Sequence, residues 1–294
     1  MNPSGTLSGA LLLDKPTGIT SARAVGRIKR LLPKGTKIGH TGTLDPLASG
    51  LLVLLLGRAT RLSRYVMGLD KSYAATATFG AVSDTLDADG SVTPLPDAPN
   101  PTEAALRAAT ADFTGNLLQV PPMASAVKVA GERLYKAHRR GEEVEREARP
   151  ITVHALDLLS YDEEQATATF RIHCGSGTYV RSLISDLAIS LGTGAYLTAL
   201  RRTSVNHFSV EGAPLAEDLS TDSLHRYVIH PRTVVGHLPS VEVATQERFS
   251  VCNGRKMGAF GLSGPYRVEC AGELLAVHRD DGEFSRAEVV LCGG

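Results

Sequence analysis

The chain has 294 residues, of which 43% are hydrophobic and 21% charged, with a formal net charge of zero. This length and apolar content allow one large domain or a main domain with a smaller companion, and they exclude wholesale disorder. No run of about 18 apolar residues occurs, which excludes a helical membrane span, and the opening Met1-Asn2-Pro3-Ser4-Gly5-Thr6 lacks the basic leader of a secretory signal, so a cytoplasmic location is expected.

Gly9 to Leu13 is a short apolar stretch closed by Asp14-Lys15-Pro16, the pattern of a strand ending in a proline turn. Thr20-Ser21 offers a hydroxyl N-cap. Ala22, Val25, Ile28, Leu31 and Leu32 follow at helical spacing until Pro33-Lys34-Gly35 stops the run. Arg23, Arg27, Lys29 and Arg30 lie between those positions, and no acidic residue occurs from Lys15 to Leu44. A neutral total can therefore conceal a basic face, although a solvated helix surface accounts for the run equally well. Leu51 to Leu56 is continuously apolar and ends at Gly57, the pattern of a buried strand, and Tyr73 to Phe79 predicts another strand. Pro94 to Pro101 is a connection, Thr102 caps a helix running to Phe113, and Pro121-Pro122 turns the chain.

Residues 128–149 are rich in both charge signs and poor in large apolar groups, which predicts an exposed excursion, flexible or folded on a partner. Thr167 to His173 predicts a strand. After Gly175-Ser176-Gly177 a helix is predicted from Tyr179 to Leu191, with Val180, Leu183, Ile184, Leu187 and Leu191 on one side. Beyond residue 238, strand-like pieces at Tyr266 to Cys270, Leu274 to Val277 and Ala287 to Leu291 alternate with glycine-rich turns. The whole reads as an α+β fold with a mostly antiparallel sheet: a main domain over 1–237 and a small β-rich domain over 238–294. The cysteines, Cys174, Cys252, Cys270 and Cys292, form no Cys-x-x-Cys pair; buried or half-buried thiols are expected, not a metal site or a disulfide framework.

The segment densest in chemical groups is Gly39-His40-Thr41-Gly42-Thr43-Leu44-Asp45-Pro46-Leu47-Ala48-Ser49-Gly50, a glycine-rich loop between the basic helix and the apolar strand. Catalytic groups commonly sit on such loops. Asp45 before Pro46 is biased to extended backbone, and local physics alone favours an ordinary Asp-Pro turn. His40 has no second ligand at metal spacing. Asp84, Asp87 and Asp89 form an acidic cluster, and Asp87-Ala88-Asp89-Gly90 has the look of the middle of an EF-hand loop. However, Thr85 occupies its first ligand position and Pro96 its bidentate glutamate position, so the segment reads as a strand–turn. A positioning role for one of these carboxylates stays open.

The Gly39–Gly50 segment closely resembles the catalytic motif of the TruB-type pseudouridine synthases. Lys15-Pro16-Thr17-Gly18-Ile19-Thr20-Ser21 resembles that family's N-terminal motif, and Lys71-Ser72-Tyr73 its tyrosine segment. Gly175-Ser176-Gly177-Thr178-Tyr179-Val180-Arg181-Ser182 resembles its arginine segment, and Leu200-Arg201-Arg202 its later hydrophobic-basic motif. The matches fall in family order over residues 9–210. Ser49 stands where threonine is common and Val180 where isoleucine is common, and neither departure touches the chemistry.

The resemblance implies an isomerase that converts the T-loop uridine at tRNA position 55 to pseudouridine by base flipping, with no cofactor and no metal. In that reading Asp45 is the catalytic carboxylate, acting at the sugar C1′, through proton loss at C2′, or at C6 of the base. Arg181 pairs with Asp45 in bidentate geometry, and Tyr73 stacks on the target base. Tyr179 and Leu200 line the pocket, and the His40 ring fills the space that the flipped base vacates. Lys15, Arg23, Arg27, Lys29 and Arg30 become candidate phosphate contacts, with Lys128, Arg133, Lys136, Arg139 and Arg140 in a thumb at about 122–150 that closes on the T-arm. The C-terminal domain resembles a PUA-type RNA-binding module, and a monomer without an obligate protein partner is expected. Three other readings are a tRNA-folding chaperone, a synthase of a guide-RNA complex, and an α+β hydrolase using Asp45 and His40. The last lacks a nucleophile elbow.

Overall fold

In the computed structural model of the chain, the described residues are 7–125, 127–129 and 131–292, without the side chain of Arg133. The leader reading at Met1 to Thr6 and the Arg133 phosphate contact fall outside them. The chain opens with β1 (Gly9–Lys15), α1 (Ser21–Lys29), β2 (Ile38–His40), β3 (Ser49–Leu56), α2 (Ser63–Met67) and β4 (Lys71–Phe79). It continues through the hairpin β5 (Ala81–Ser83) and β6 (Val92–Pro94), then α3 (Glu103–Asp112) and β7 (Gly115–Gln119). A second hairpin, β8 (Lys128–Val129) and β9 (Glu132–Arg133), leads into α4 (Leu134–Arg139). Next come β10 (Arg149–Asp162), β11 (Thr167–Cys174), α5 (Val180–Ser190), β12 (Ala195–Val205), β13 (Phe208–Ser209), β14 (Val228–Ile229) and α6 (Pro231–Val234). The C-terminal part holds β15 (Ser240–Glu242), α7 (Arg248–Cys252), β16 (Met257–Gly258), β17 (Pro265–Cys270), β18 (Glu273–Asp281) and β19 (Phe284–Val290).

A ten-stranded sheet dominates, with main order β14-β1-β3-β12-β4-β11-β10-β7. Its pairs are antiparallel except β3 with β12, which run parallel through Ser49–Arg201 and Gly50–Arg202. The unbroken apolar run of β3 follows from its place near the centre. Leu52, Leu54 and Leu56 enter the core on one face, with Ile28, Ala75, Phe170 and Leu187. Leu51, Val53 and Leu55 enter a second core, with Leu62, Val205, Val277 and Leu291. Each fully buried leucine contributes roughly 1.5–3 kcal/mol. A strand covered on both faces cannot alternate polar and apolar residues.

Helix α1 is capped as expected, with the Thr20 hydroxyl accepting from the Arg23 N–H. Its buried face is Ser21, Ala24 and Ile28, while Ala22 is exposed. The phase differs from the apolar count because Ser21 turns inward to hydrogen-bond backbone. Strands β10 and β12 were not evident in the sequence: β12 carries Arg201 and Arg202 in the middle of the sheet, which disguises it. The charged stretch 128–149 carries the β8–β9 hairpin and α4. Leu134 and Ala137 are buried there, and Arg140 pairs with Glu132 (2.8 Å) and Glu142 (2.7 Å).

The C-terminal strands form a separate five-stranded sheet, β15-β17-β18-β19-β16, with its own core around Val251, Tyr266, Val268 and Leu275. Here the thiol expectation is corrected. The fold brings the end of α7 beside the tail after β19, with 5.2 Å between the Cα atoms of Cys252 and Cys292, and the two form a disulfide. Cys174 and Cys270 are free and buried.

Candidate active site

Two loops are locked together beneath the site. The Ser21 hydroxyl donates to the Leu44 carbonyl (2.9 Å) and accepts from the Leu44 N–H (2.8 Å). The Gly18 N–H donates to the Pro46 carbonyl (2.8 Å). Asp45 is thus held on both sides by the segment that begins at Lys15. Gly50 closes the loop with φ +98°, and a Cβ there would lie 2.3 Å from the Arg202 carbonyl oxygen, so only glycine lets β3 meet β12 at this point.

Asp45 faces a cleft of about 350 Å³ lined also by Lys71, Tyr73, Tyr179, Arg181, Leu200 and Arg202. Five sequence-predicted residues (Asp45, Tyr73, Tyr179, Arg181 and Leu200) therefore converge from four segments. Arg181 sits in the first turn of α5 with only 4% of its side chain exposed, which rules out a surface-helix role. Its Nη2 lies 2.9 Å from Asp45 Oδ2 and donates to the Ala124 carbonyl (2.8 Å), its Nη1 donates to the Thr85 carbonyl, and its Nε lies 3.5 Å from Asp87 Oδ2. The expected bidentate pairing is thus replaced by one contact to Asp45, because the rest of the fork is shared with Asp87 and two carbonyls. Tyr179 caps α5, and its backbone is gripped by the Gln119 amide, which accepts from its N–H (2.8 Å) and donates to its carbonyl (3.1 Å).

Tyr73 is buried on β4 opposite Arg202 of β12. Burial pushes its phenol pKa up, against the pull of Arg202. His40 does not line this cleft. It lines an adjoining cavity of about 670 Å³ with Lys29, Lys37, Thr60 and Met67, and Met67 borders both spaces. Burial, then the Arg202 charge, lowers the His40 pKa, which favours a neutral ring over a cationic acid at neutral pH.

Lys15, placed above among the substrate-binding cations, is fully buried here and donates to the Pro16 and Ile19 carbonyls (both 2.8 Å), so it braces the loop that holds Asp45.

Arg202 and Lys71 were missed as site candidates, and Asp87 was singled out only as one of three clustered carboxylates with a positioning role left open. Arg202 is buried and donates to the Leu51 carbonyl (2.7 Å) and the Gly42 carbonyl (3.0 Å), pinning the loop to β3. Asp87 is buried against Arg181, and burial raises its pKa despite the Thr85 hydroxyl bond (2.6 Å). The acidic cluster of Asp84, Asp87 and Asp89 was its only sequence signal. Lys71 donates to the Met67 carbonyl (3.0 Å) and to that of Leu69.

Burial, with the Arg202 charge adding, lowers the Lys71 pKa to about 8. An unfolded chain holds lysine near 10.4, so from pH about 8 to about 10 it binds more protons than the folded one, and this group makes stability rise with pH. Lys15, lowered to about 8 mainly by burial, acts in the same sense. Lys71→Met is expected to flatten the rise in urea midpoint between pH 8 and 9.5. An unchanged rise would remove Lys71 from the effect.

Comparison with known proteins agrees with this geometry. Residues 29–180 match the family described as TruB family pseudouridylate synthase (N terminal domain). The chain is 42% identical over 281 residues to the tRNA pseudouridine synthase B of Aromatoleum aromaticum, covering 94% of this chain and 90% of that protein. It is 46% identical over 285 residues to that of Cupriavidus metallidurans, covering 96% and 90%. Among solved structures, an H/ACA RNP bound to a substrate RNA containing 2′-deoxyuridine superposes with a TM-score of 0.74 at 22% identity, over 97% of this chain and 85% of that one, and shares the fold. A family match over half the chain and relatives spanning nearly all of it lead to one assignment: the chain belongs to the TruB family of pseudouridylate synthases.

Proposed function

We propose that this chain is a tRNA pseudouridine synthase that isomerises the T-loop uridine at position 55. The observation that carries the reading is the Asp45–Arg181 contact of 2.9 Å, set in a cleft with Tyr73, Tyr179 and Leu200. The uridine N1–C1′ bond breaks, the base turns, C5 bonds to C1′, the C5 proton leaves to water and N1 takes one up. Asp45 assists the sugar or base during cleavage. Arg181 orients Asp45, and Tyr73 stacks on the base. His40 occupies the gap left by the flipped base, whose extrusion costs on the order of a few kcal/mol. The chemistry is a net isomerisation and requires no redox partner.

The separate C-terminal sheet and core support a division near residue 238, with residues 238–294 as a PUA-like RNA-binding unit. Among the described residues no helix is long and apolar enough to cross a membrane. The reading places the enzyme in the cytoplasm as a monomer, and tRNA folding is a further role.

The test is release of tritium from C5 of uridine in an unmodified tRNA transcript. One equivalent per tRNA is expected, and none from a transcript with cytidine at the T-loop position. Tight binding without release would leave the chaperone or guide-RNA reading. RNA affinity should also fall steeply with salt. Lys136 and Arg139 on α4 make no acidic ion pair within 4 Å among the described residues, whereas Arg27 is paired with Glu217 (3.0 Å) and Arg140 with Glu132 and Glu142. Reversing Lys136 and Arg139 together is expected to flatten the slope of log K against log salt by about 2, roughly one per phosphate contact. An unchanged slope would remove the thumb from the interface.

A further inference from the structure

One side-chain cluster lies outside the cleft and has no part in the chemistry above. Asp70, immediately before β4, places Oδ2 3.2 Å from His154 Nε2. The rings of His154 and His173 lie 4.7 Å apart between centroids. One ligand atom from each of the three residues lies within 4.8 Å of the others, and both histidines are exposed to solvent.

The backbone builds this arrangement. Val153 of β10 pairs with Cys174 of β11, and Ala155 pairs with His173, so His154 is the extra residue of a β-bulge. A bulge re-aims a side chain that regular alternation would place elsewhere, and here it sets His154 beside His173. On the other side, β4 pairs Ser72 with His173 and Lys71 with Cys174, which carries Asp70 past the end of β11. The Asp70 carbonyl accepts from the Asn206 N–H (2.9 Å), fixing its backbone. Three adjacent strand segments thus present two imidazoles and a carboxylate to one point.

We propose that Asp70, His154 and His173 form a binding site for a divalent transition-metal ion of the zinc class, with water completing the coordination. Two nitrogens and one carboxylate oxygen suit Zn²⁺, whereas Mg²⁺ and Ca²⁺ take oxygen ligands. Around a tetrahedral ion with bonds of about 2.0–2.1 Å, ligand atoms lie roughly 3.3 Å apart. The Asp70–His154 pair already stands at that separation, and rotation of the exposed His173 ring closes the remainder. The spacing of these residues in sequence hides the site, because its ligands come from three distant segments. The ion ties the start of β4, which carries Lys71 and Tyr73, to the end of β11, which leads through Gly175 to Tyr179 and Arg181. It acts as a clamp behind the cleft and does not touch substrate.

The experiment titrates Zn²⁺ into the chelator-treated full chain by calorimetry, beside His154→Ala, His173→Ala and, as a control, the exposed His225→Ala. The parent and the control are expected to bind one equivalent, and each cluster variant should bind about tenfold more weakly or worse. Ring ¹⁵N signals of the unsubstituted protein should shift for His154 and His173 on adding Zn²⁺, which assigns the ligands without relying on any variant. Co²⁺ in place of Zn²⁺ should give a visible spectrum without a thiolate charge-transfer band. Failure of the parent to bind, equal binding by the cluster variants, or a thiolate band would overturn the assignment.

Discussion

Asp45→Asn is expected to abolish tritium release from C5 while leaving the fold and RNA binding in place, a loss on the order of 10⁴-fold or more, as when a nucleophile is removed from a working site. The substitution keeps the shape and removes the negative charge and the nucleophilic oxygen. Its structural cost is small, because 40% of the Asp45 side chain is exposed and Arg181 keeps Asp87 and two carbonyls as partners. Binding measured by filter retention and folding measured by urea midpoint should therefore match the parent. His40→Ala makes the useful contrast. His40 lines the adjoining cavity, outside the Asp45 cleft, so its loss should cost far less turnover. Equal and complete losses from both would sink that ranking, and retained tritium release in Asp45→Asn would remove the carboxylate from the chemistry.

What could be read from the sequence depended on whether a residue's role is set by its neighbours in the chain or by partners across the sheet. The strand at Leu51 to Leu56 was legible because burial on both faces forces an unbroken apolar run. The cap of α1 was legible because Thr20 bonds three residues ahead. The inward turn of Ser21 was not, because its partner, Leu44, lies 23 residues away. For the same reason β12 stayed hidden. Its two arginines look like a surface pattern until Arg202 is seen donating to carbonyls of Leu51 and Gly42. Asp45 shows the limit most clearly. Local physics reads it as a proline turn, and only the order of several motifs along the chain marked it as catalytic. Lys71 lies in a recognised segment and Asp87 in the acidic cluster, but only the folded chain sets Asp87 against Arg181 and Lys71 in the cleft.

Arg181→Met is expected to damage stability and turnover together, and the two losses can be separated. The guanidinium is nearly enclosed, touching Asp45 at 2.9 Å and Asp87 at 3.5 Å and donating to the carbonyls of Thr85 and Ala124. Methionine fills similar space but leaves Asp87 as a buried carboxylate without its cation. Breaking such a pair from one side costs about 3–5 kcal/mol, since the abandoned charge stays desolvated. The urea midpoint should fall accordingly. Adding Asp87→Asn removes that stranded charge, so the double variant should recover much of the lost stability, with the coupling read from a double-mutant cycle. Turnover should not return, because Asp45 still lacks the group that orients it. If tritium release recovered in step with the midpoint, Arg181 would be a structural counter-ion to Asp87 alone, and the contact with Asp45 would carry no catalytic weight. A stable and inactive double variant would place the value of this buried arginine in how it holds Asp45.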